Sequence, residues 1–285
     1  NLIEKYGVIP YEIMETSSSC KNTGECNACI SMILKKNASE LITLVAEGTP
    51  IDIIRNKKER MLQEVIEILC SCFGIPPERI SLNLFHEDLK ITPKEYYMRY
   101  IKFPFDEYIC IHNDGEISTP ENSFNDIVLD GNVVGGEPYL ILRVKDNVFL
   151  ECIQKQISNR IPCWITCDTG KFYFHNIGVF DDSVFNLKQF ESSGKLSKKV
   201  INQYGIASMS HSLLLVDMAE ISGDRWWKAI DSGLFPNQSP VRYISDSWLQ
   251  KYTFQAVVRK EYLPFLLDDR IKKRTIFPWD LFIFK

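Results

Sequence analysis

Apolar positions in the first hundred residues recur at the three- and four-residue spacing of amphipathic helices. One such stretch covers residues 27–47 and a second covers residues 57–73. Gly74, followed closely by a Pro-Pro pair, predicts the end of the second helix, because glycine closes helices and proline cannot continue them. A third helix is predicted after Thr92, a good N-cap with Pro93 at the first helical position. The first part of the chain is therefore predicted to be helical.

After about residue 105 the pattern changes to short runs of valine, isoleucine and aromatic residues separated by Gly, Asp, Asn and Pro, which is typical of half-buried strands. The predicted strands are Tyr139–Val144, Trp164–Cys167, Ser212–Met218, Trp226–Ile230, Val241–Ser245 and Thr253–Arg259. Only short helices, at 183–190 and 246–252, are predicted between them. Helices first and strands later predict an α+β fold with an antiparallel sheet or partly open barrel. The apolar C-terminal stretch IFPWDLFIFK is expected to dock on another surface.

Composition narrows the class of protein. The 285 residues suffice for one large domain or two ordinary ones, and 45% hydrophobic residues predict a sizeable buried core. A formal net charge of -4 gives no general electrostatic reason to bind nucleic acid or an anionic membrane. No run of about 18 apolar residues predicts a membrane span. The absence of a signal peptide favours a cytoplasmic protein with reduced thiols, and the first residue, Asn1, predicts that the chain begins inside a longer gene product or after processing.

The chain has four histidines, and their contexts differ. His86 and His112 lie in polar, loop-like segments and are predicted to be surface residues, whereas His175 alternates with aromatic residues and is interpreted as structural. His211 opens the longest apolar strand, where a fixed ring with one edge facing a cleft could act as a general base. A hydrogen-bonded strand-end histidine without catalytic function is the alternative. Asp231, one strand further along, could orient the ring through its other nitrogen.

Other candidate motifs predict neither a metal nor a cofactor. Cys26 and Cys29 form a CxxC pair, but a structural zinc site wants four ligands and no second CxxC or HxxxH pair follows. These cysteines are interpreted as ordinary or redox-sensitive thiols. The glycine-rich GNVVGG lacks the ending of a P-loop and the spacing of a dinucleotide fingerprint, and it is interpreted as a tight turn.

Seven segments resemble, in order, motifs of the bleomycin hydrolase and aminopeptidase C family, the oligomeric branch of the papain-like cysteine peptidases. They are KYGVIP (5–10), CSCFGIPPE (70–78), ITPKEYYMRYIK (91–102), WITCDTGK (164–171), IASMSHSLLLV (206–216), WKAIDSG (227–233) and IFPWDLF (276–282). The resemblance extends over essentially the whole chain. It implies a papain-like cysteine peptidase fold in which a helical hook insert, residues 1–104, precedes an antiparallel β right-hand subdomain, residues 105–269, and a C-terminal arm, residues 270–285.

The same resemblance implies a function and its residues. His211 matches the catalytic base, and Asp231 stands where the family has an asparagine that holds the imidazole. The terminal carboxylate at Lys285 would meet the free amine of a peptide or aminoacyl substrate, which would make the enzyme an aminopeptidase. The resemblance further implies a homo-oligomer, a hexamer in the family, in the cytoplasm.

The chain also departs from the family pattern. None of its nine cysteines matches the context of the family's nucleophile, and Cys20, the nearest in order, is not equivalent. Gly233 and Leu234 replace the tryptophan and glycine that follow the asparagine. Two hypotheses follow: a cysteine aminopeptidase whose nucleophile lies outside this chain, and an inactive pseudopeptidase that serves as an oligomeric scaffold or binding module. Nucleic-acid binding through the basic residues 272–274 is a third, and the net charge argues against it.

Overall fold

The computed structural model describes residues 2–15, 17–84, 87–115, 122–129, 133–184, 196–232, 239–268 and 270–277. The chain divides between Lys102 and Phe103 into two compact units. The sequence had placed the boundary between its helical and β-rich regions after residue 104.

The first unit is mainly helical. Its elements are α1 (Leu2–Tyr6), α2 (Ser18–Lys21), α3 (Gly24–Ala46), α4 (Ile51–Phe73), β1 (Ile80–Leu84), β2 (Glu87–Ile91) and α5 (Pro93–Tyr96), which continues as a π-helical turn over Tyr97–Ile101. Helices α3 and α4 both begin earlier than predicted. Helix α4 ends at Phe73, and Gly74 follows it as the C-cap with a φ of 83°, which suits glycine. The prediction for Thr92 is confirmed, since its side chain accepts from the Glu95 N–H at 3.1 Å in a capping box. The pattern did not predict the antiparallel β1–β2 hairpin.

The second unit is built on one large sheet. Its elements are β3 (Tyr108–His112), β4 (Ser123–Ile127), β5 (Leu140–Arg143), α6 (Asp146–Ser158), β6 (Cys163–Cys167), β7 (Tyr173–Phe174), β8 (Val179–Phe180), α7 (Lys198–Gln203), β9 (His211–Ile221), β10 (Asp224–Ile230), β11 (Val241–Ser245), α8 (Asp246–Tyr252), β12 (Thr253–Arg259) and β13 (Lys273–Ile276). All six predicted strands and the helix predicted at 246–252 are present. The helix predicted at 183–190 lies largely outside the described residues, and the C-terminal stretch lies outside them from residue 278.

The strand order in the described sheet is β13-β4-β5-β3-β12-β6-β9-β10-β11-β8-β7. The central run from β3 through β12, β6, β9 and β10 to β11 is antiparallel throughout, as predicted. Towards the edges the sheet becomes mixed, because β3 pairs with β5, β4 with β13 and β8 with β11 in parallel. Antiparallel pairing holds the central strands in a register that brings the ends of β6, β9 and β10 together.

Helix α6, which the sequence analysis missed, packs on β6, β9 and β12 and supplies much of the core. Its buried face consists of Phe149, Cys152, Ile153, Gln156 and Ile157. These positions have the three- and four-residue spacing of an amphipathic helix, so the sequence does carry a local signal for this 13-residue helix. The core continues through Trp227, Trp248 and Phe254, all fully buried.

The prediction that His112 is a surface residue is wrong. It was expected at the surface, yet it ends β3 with only 2% of its area exposed. Polar neighbours in the sequence do not show whether distant segments of the fold will cover a residue. Within the described part of the chain, no helix is both long and apolar enough to cross a membrane.

Candidate active site

His211 is the first residue of β9 and lies opposite Cys167, the last residue of β6. The segment leading into β9 is held by Asp168, which is buried. The Asp168 carboxylate accepts from the backbone N–H of Ser208 at 2.9 Å and from the hydroxyl of Ser210 at 3.3 Å. It also accepts from the N–H of Gly170 at 2.9 Å, closing the turn after β6. These hydrogen bonds fix the backbone that enters β9, and they thereby fix the position from which the His211 side chain projects.

A β-bulge decides which face Asp231 occupies. The β9–β10 register shifts between Lys228 and Ala229, and Ile230 then lies opposite Leu214. Continuing this register by one residue puts Asp231 opposite Leu213, on the same face as His211, because residues two apart share a face. Without the bulge, every later residue of β10 would be turned to the other face.

The structure joins the two predicted residues directly. Nε2 of His211 lies 2.8 Å from Oδ1 of Asp231, with 32% and 10% of the two side chains exposed. A carboxylate accepts hydrogen bonds, so this contact requires the ring to carry its proton on Nε2. Nδ1 is then left to accept a proton, and in the described part of the chain no atom hydrogen-bonds it. The arrangement can therefore hold an imidazole whose free nitrogen exchanges a proton with a nearby thiol.

Arg242 on β11 is the third member of this group, and the sequence analysis did not identify it. Its Nε donates to Oδ2 of Asp231 at 3.1 Å, and Nη2 lies 3.1 Å from the same oxygen. The register places Arg242 opposite Ala229, two residues before Asp231 and on its face. The described contacts thus form a line across three strands, from His211 through Asp231 to Arg242. No local signal distinguishes this arginine within VRYIS, since only the pairing of β10 with β11 brings it to the carboxylate.

All nine cysteines lie within the described residues, and all are free thiols. Cys167, opposite His211, is buried, and burial raises the pKa of its thiol. Burial likewise raises the pKa of Cys152 to about 11 and that of Cys110 to about 12. The pKa of Cys26 is raised chiefly by its side-chain hydrogen bond with Cys72. A nucleophilic cysteine needs the opposite, a lowered pKa in an exposed electropositive place.

A second buried polar cluster lies at the same end of the sheet, around Lys198 at the start of α7. The Lys198 ammonium donates to the carbonyl of Thr253 and lies 4.9 Å from the ring centre of Phe149. Burial is the main cause that lowers its pKa to about 7. His112 belongs to this region, and burial lowers its pKa to about 4.

Of the remaining candidates, His86 and Lys285 lie outside the described residues. His175 is exposed and makes an edge contact with Tyr173, with ring centres 4.3 Å apart. Cys26 and Cys29 gather no cluster around them: the described ranges contain no group of three or more His, Cys, Asp or Glu residues that could hold a metal ion.

The fold is the papain-like α+β fold of cysteine peptidases. The chain belongs to the Peptidase C1-like family, whose model matches residues 1–282. PepW from Lactobacillus rhamnosis HN001 has a similar crystal structure, with a TM-score of 0.88 and 26% identity over 99% of this chain and 66% of that chain.

Among the curated relatives, aminopeptidase C of Listeria innocua is 29% identical over 98% of this chain, and aminopeptidase C of Lactobacillus delbrueckii is 25% identical over the same share. Bleomycin hydrolase of Gallus gallus is 24% identical over 93% of the chain. The chain spans 65% of the length of the two aminopeptidases C and 61% of the bleomycin hydrolase. The family predicted from the seven motifs is confirmed.

Proposed function

We propose that the protein is a cysteine aminopeptidase, which hydrolyses peptide bonds from the N-terminus, and that this chain supplies its general base. The observation that carries the proposal is the 2.8 Å contact between His211 and Asp231 in a chain of the Peptidase C1-like family. In this proposal the nucleophilic cysteine comes from a segment or chain outside these 285 residues.

The chemistry follows from the two ring nitrogens of His211. With Nε2 bonded to Asp231, Nδ1 takes the proton of the incoming thiol, and the thiolate is paired with an imidazolium. The thiolate sulfur bonds to the substrate carbonyl carbon, and the proton on Nδ1 passes to the leaving amine as the peptide bond breaks. Water, deprotonated by the same nitrogen, then attacks the thioester and releases the acid and the thiol.

The thiol that lies opposite His211 in the sheet does not fit the role of the nucleophile. Cys167 is the one aligned with His211 across β6 and β9, and burial raises its pKa. A protonated, buried thiol is a weak nucleophile, because the thiolate is the reactive form. This argument supports a nucleophile from elsewhere.

The substrates that we propose are peptides or aminoacyl compounds with a free amine, which the C-terminal arm containing Lys285 would bind. Support comes from the relatives, two of which are named aminopeptidase C. We further propose that the protein forms a homo-oligomer, a hexamer, in the cytoplasm. Its net charge of -4 argues against nucleic acid as a partner, and an affinity measured across a salt series would detect such binding by its steep slope.

The second candidate is a pseudopeptidase that serves as an oligomeric scaffold or binding module. The observation that favours it is the burial of the thiols in the large sheet, which raises the pKa of Cys110, Cys163 and Cys167 and keeps these thiols protonated. In this case His211 and Asp231 would be a structural pair that joins the ends of β9 and β10.

A labelling experiment on protein purified from its natural source distinguishes the peptidase from the pseudopeptidase. The protein is treated with an electrophilic peptide-mimic probe for papain-like thiols, and the label is located by mass spectrometry. Label on a cysteine outside this chain supports the peptidase, and His211→Ala should then lower the labelling rate while His175→Ala, at an exposed histidine of the same unit, leaves it unchanged. No label supports the pseudopeptidase. Turnover by the isolated chain that His211→Ala abolishes would overturn the assignment of its cysteines.

If the probe labels the protein, a pair of substrates tests the aminopeptidase assignment. A peptide with a free N-terminus should be cleaved, and the same peptide with an acetylated N-terminus should not, because it has no charged amine for a carboxylate to bind. Equal cleavage of both peptides would support a cysteine peptidase but contradict its assignment as an aminopeptidase.

A further inference from the structure

We propose that Arg242 is a positioning residue that offsets the charge of Asp231, so that a carboxylate can take the place of the asparagine expected beside His211. The catalytic role of Arg242 rests on the proposed function. Its electrostatic effect on Asp231 and His211 depends only on residues that the structure describes. Arg242 has no counterpart among the sequence motifs that carried the resemblance.

The contacts make Asp231 a two-sided acceptor. One oxygen, Oδ1, accepts from His211, and the other, Oδ2, meets both Nε and Nη2 of Arg242 at 3.1 Å. An asparagine at the same place would offer one oxygen to the imidazole and carry no charge. The carboxylate keeps that acceptor and adds a negative charge, which the guanidinium opposes directly.

The guanidinium is fixed in its place. Only 3% of the Arg242 side chain is exposed, and Nη1 donates to the carbonyl oxygens of Ser239 and Val241. The group lies over the ring of Tyr173, 5.7 Å from its centre. A buried arginine held from three sides cannot turn away to solvent, so its charge acts on Asp231 at all times.

The charge matters because of what the imidazole must do. A carboxylate next to a histidine favours the imidazolium form, and an amide does not. A ring held too strongly as imidazolium would be a weak base towards a thiol and a poor acid towards a leaving amine. The Arg242 guanidinium places a positive charge on the side of Asp231 away from the imidazole, so its removal should leave the carboxylate free to favour the imidazolium more strongly.

Other charged or titratable groups also face His211 from the neighbouring strands. Cys167 lies opposite it on β6, and Asp168 follows Cys167 and hydrogen-bonds Ser210. Asp231 follows β10, and Arg242 lies beyond it on β11. The test must therefore change Arg242 alone and leave the two groups at the end of β6 in place.

The experiment measures the protonation of His211 without requiring activity. The whole protein is treated with diethyl pyrocarbonate across pH 5 to 9, and the modification of the His211 peptide is followed by mass spectrometry, because only the neutral imidazole reacts. Arg242→Gln removes the charge and keeps an amide donor, whereas Arg242→Lys keeps the charge. Arg143→Gln is the matched control, since Arg143 forms an equally buried pair with Asp114, 3% and 8% exposed, on another strand.

The expected result is that Arg242→Gln raises the pH midpoint of His211 modification by about one unit or more. Arg242→Lys should keep the midpoint within about 0.3 units of the wild type, and Arg143→Gln should do the same. An unchanged midpoint in Arg242→Gln, an equal rise in Arg242→Lys, or an equal rise in Arg143→Gln overturns the proposal.

If Arg242→Gln does not fold, the paired variant Asp231→Asn with Arg242→Met carries the test, because it leaves no unpaired buried charge. A midpoint lowered by less than about one unit from the wild type supports the offset, and a larger fall means that the carboxylate acted alone. These results stand apart from the proposed peptidase. Suppose that the midpoint of His211 modification depends on the charge of residue 242, but no thiol probe labels the protein. The electrostatic role of Arg242 would then stand, and its catalytic role would be rejected.

Discussion

The buried ammonium of Lys198 provides a quantitative test of the packing around the sheet end. Burial lowers its pKa from the ordinary 10.5 to about 7, against the smaller opposing effects of Asp146 and Asp114. The unfolded chain therefore keeps a proton on Lys198 up to about pH 10.5, whereas the folded chain keeps it only up to about pH 7. Between these values the unfolded state binds more protons, so this residue makes the protein more stable as pH rises.

The perturbation is Lys198→Met, which replaces the ammonium with an apolar group of similar length. A single proton changes the free energy of unfolding by about 1.4 kcal/mol per pH unit inside the window. Below pH 7 the charged lysine should cost on the order of 5 kcal/mol relative to a group that stays neutral. Between pH 7.5 and 9.5 the stability of the wild type should rise by about 2–3 kcal/mol relative to the variant.

The assay is urea unfolding followed by tryptophan fluorescence, with Trp227 and Trp248 in the core as reporters. Taking the difference between variant and wild type at each pH removes the contributions of all other titrating groups. The control is Lys155→Met on α6, a lysine with 44% of its side chain exposed, whose difference should not vary with pH in this window. A Lys198→Met difference that is equally flat from pH 7.5 to 9.5 would refute the reasoning.

Three further predictions concern the same unit. Asp231→Ala should lower the free energy of unfolding by about 3–5 kcal/mol in denaturant, because it leaves Arg242 as an unpaired buried charge. Asp168→Ala should lower it by about 1–3 kcal/mol by the same measurement, because the backbone N–H groups of Ser208 and Gly170 lose their acceptor. As pH falls from 6.5 to 4, the free energy of unfolding of the wild type should decrease by about 3 kcal/mol relative to that of His112→Leu. The reason is that His112 is protonated in the unfolded chain below about pH 6.5, whereas in the folded chain it stays neutral until about pH 4.

Each of these predictions has a control or an outcome that would contradict it. Combining Asp231→Ala with Arg242→Met should recover most of the lost stability, and no recovery would mean that the unpaired charge was not the cause. Asp268→Ala, which removes a carboxylate from an exposed turn, should have a much smaller effect than Asp168→Ala. For His112, wild-type and His112→Leu stabilities that stay a constant difference apart between pH 6.5 and 4 would contradict the role of burial.

Local signals in the sequence were enough for several helices of the first unit and for the central strands of the second. The three- and four-residue spacing predicted α3 and α4, and the Thr92 capping box follows from residue types three positions apart. Short apolar and aromatic runs between turn residues predicted the strand that His211 opens and the strand that precedes Asp231. Such features depend on neighbours in the chain, so the sequence carries them directly.

Other features depended on pairing between distant segments. The sequence placed Asp231 one strand from His211, but the extra residue of β9, Val216, at the register shift opposite Lys228 and Ala229 puts the two side chains on a common face. The parallel strand pairs at the sheet edges and the burial of His112 were missed for a related reason: they arise from which strands meet, not from the composition of any one strand.

Arg242 shows the limit most clearly. Nothing in its segment distinguishes it from an exposed arginine on an edge strand, yet it is almost fully buried against Asp231. By itself the sequence determined the family, helices α3, α4, α5 and α8, six of the strands, and the histidine and carboxylate of the candidate site. Only the tertiary structure decided how the carboxylate is balanced, because strand register brings together charges that lie 11 residues apart in the chain.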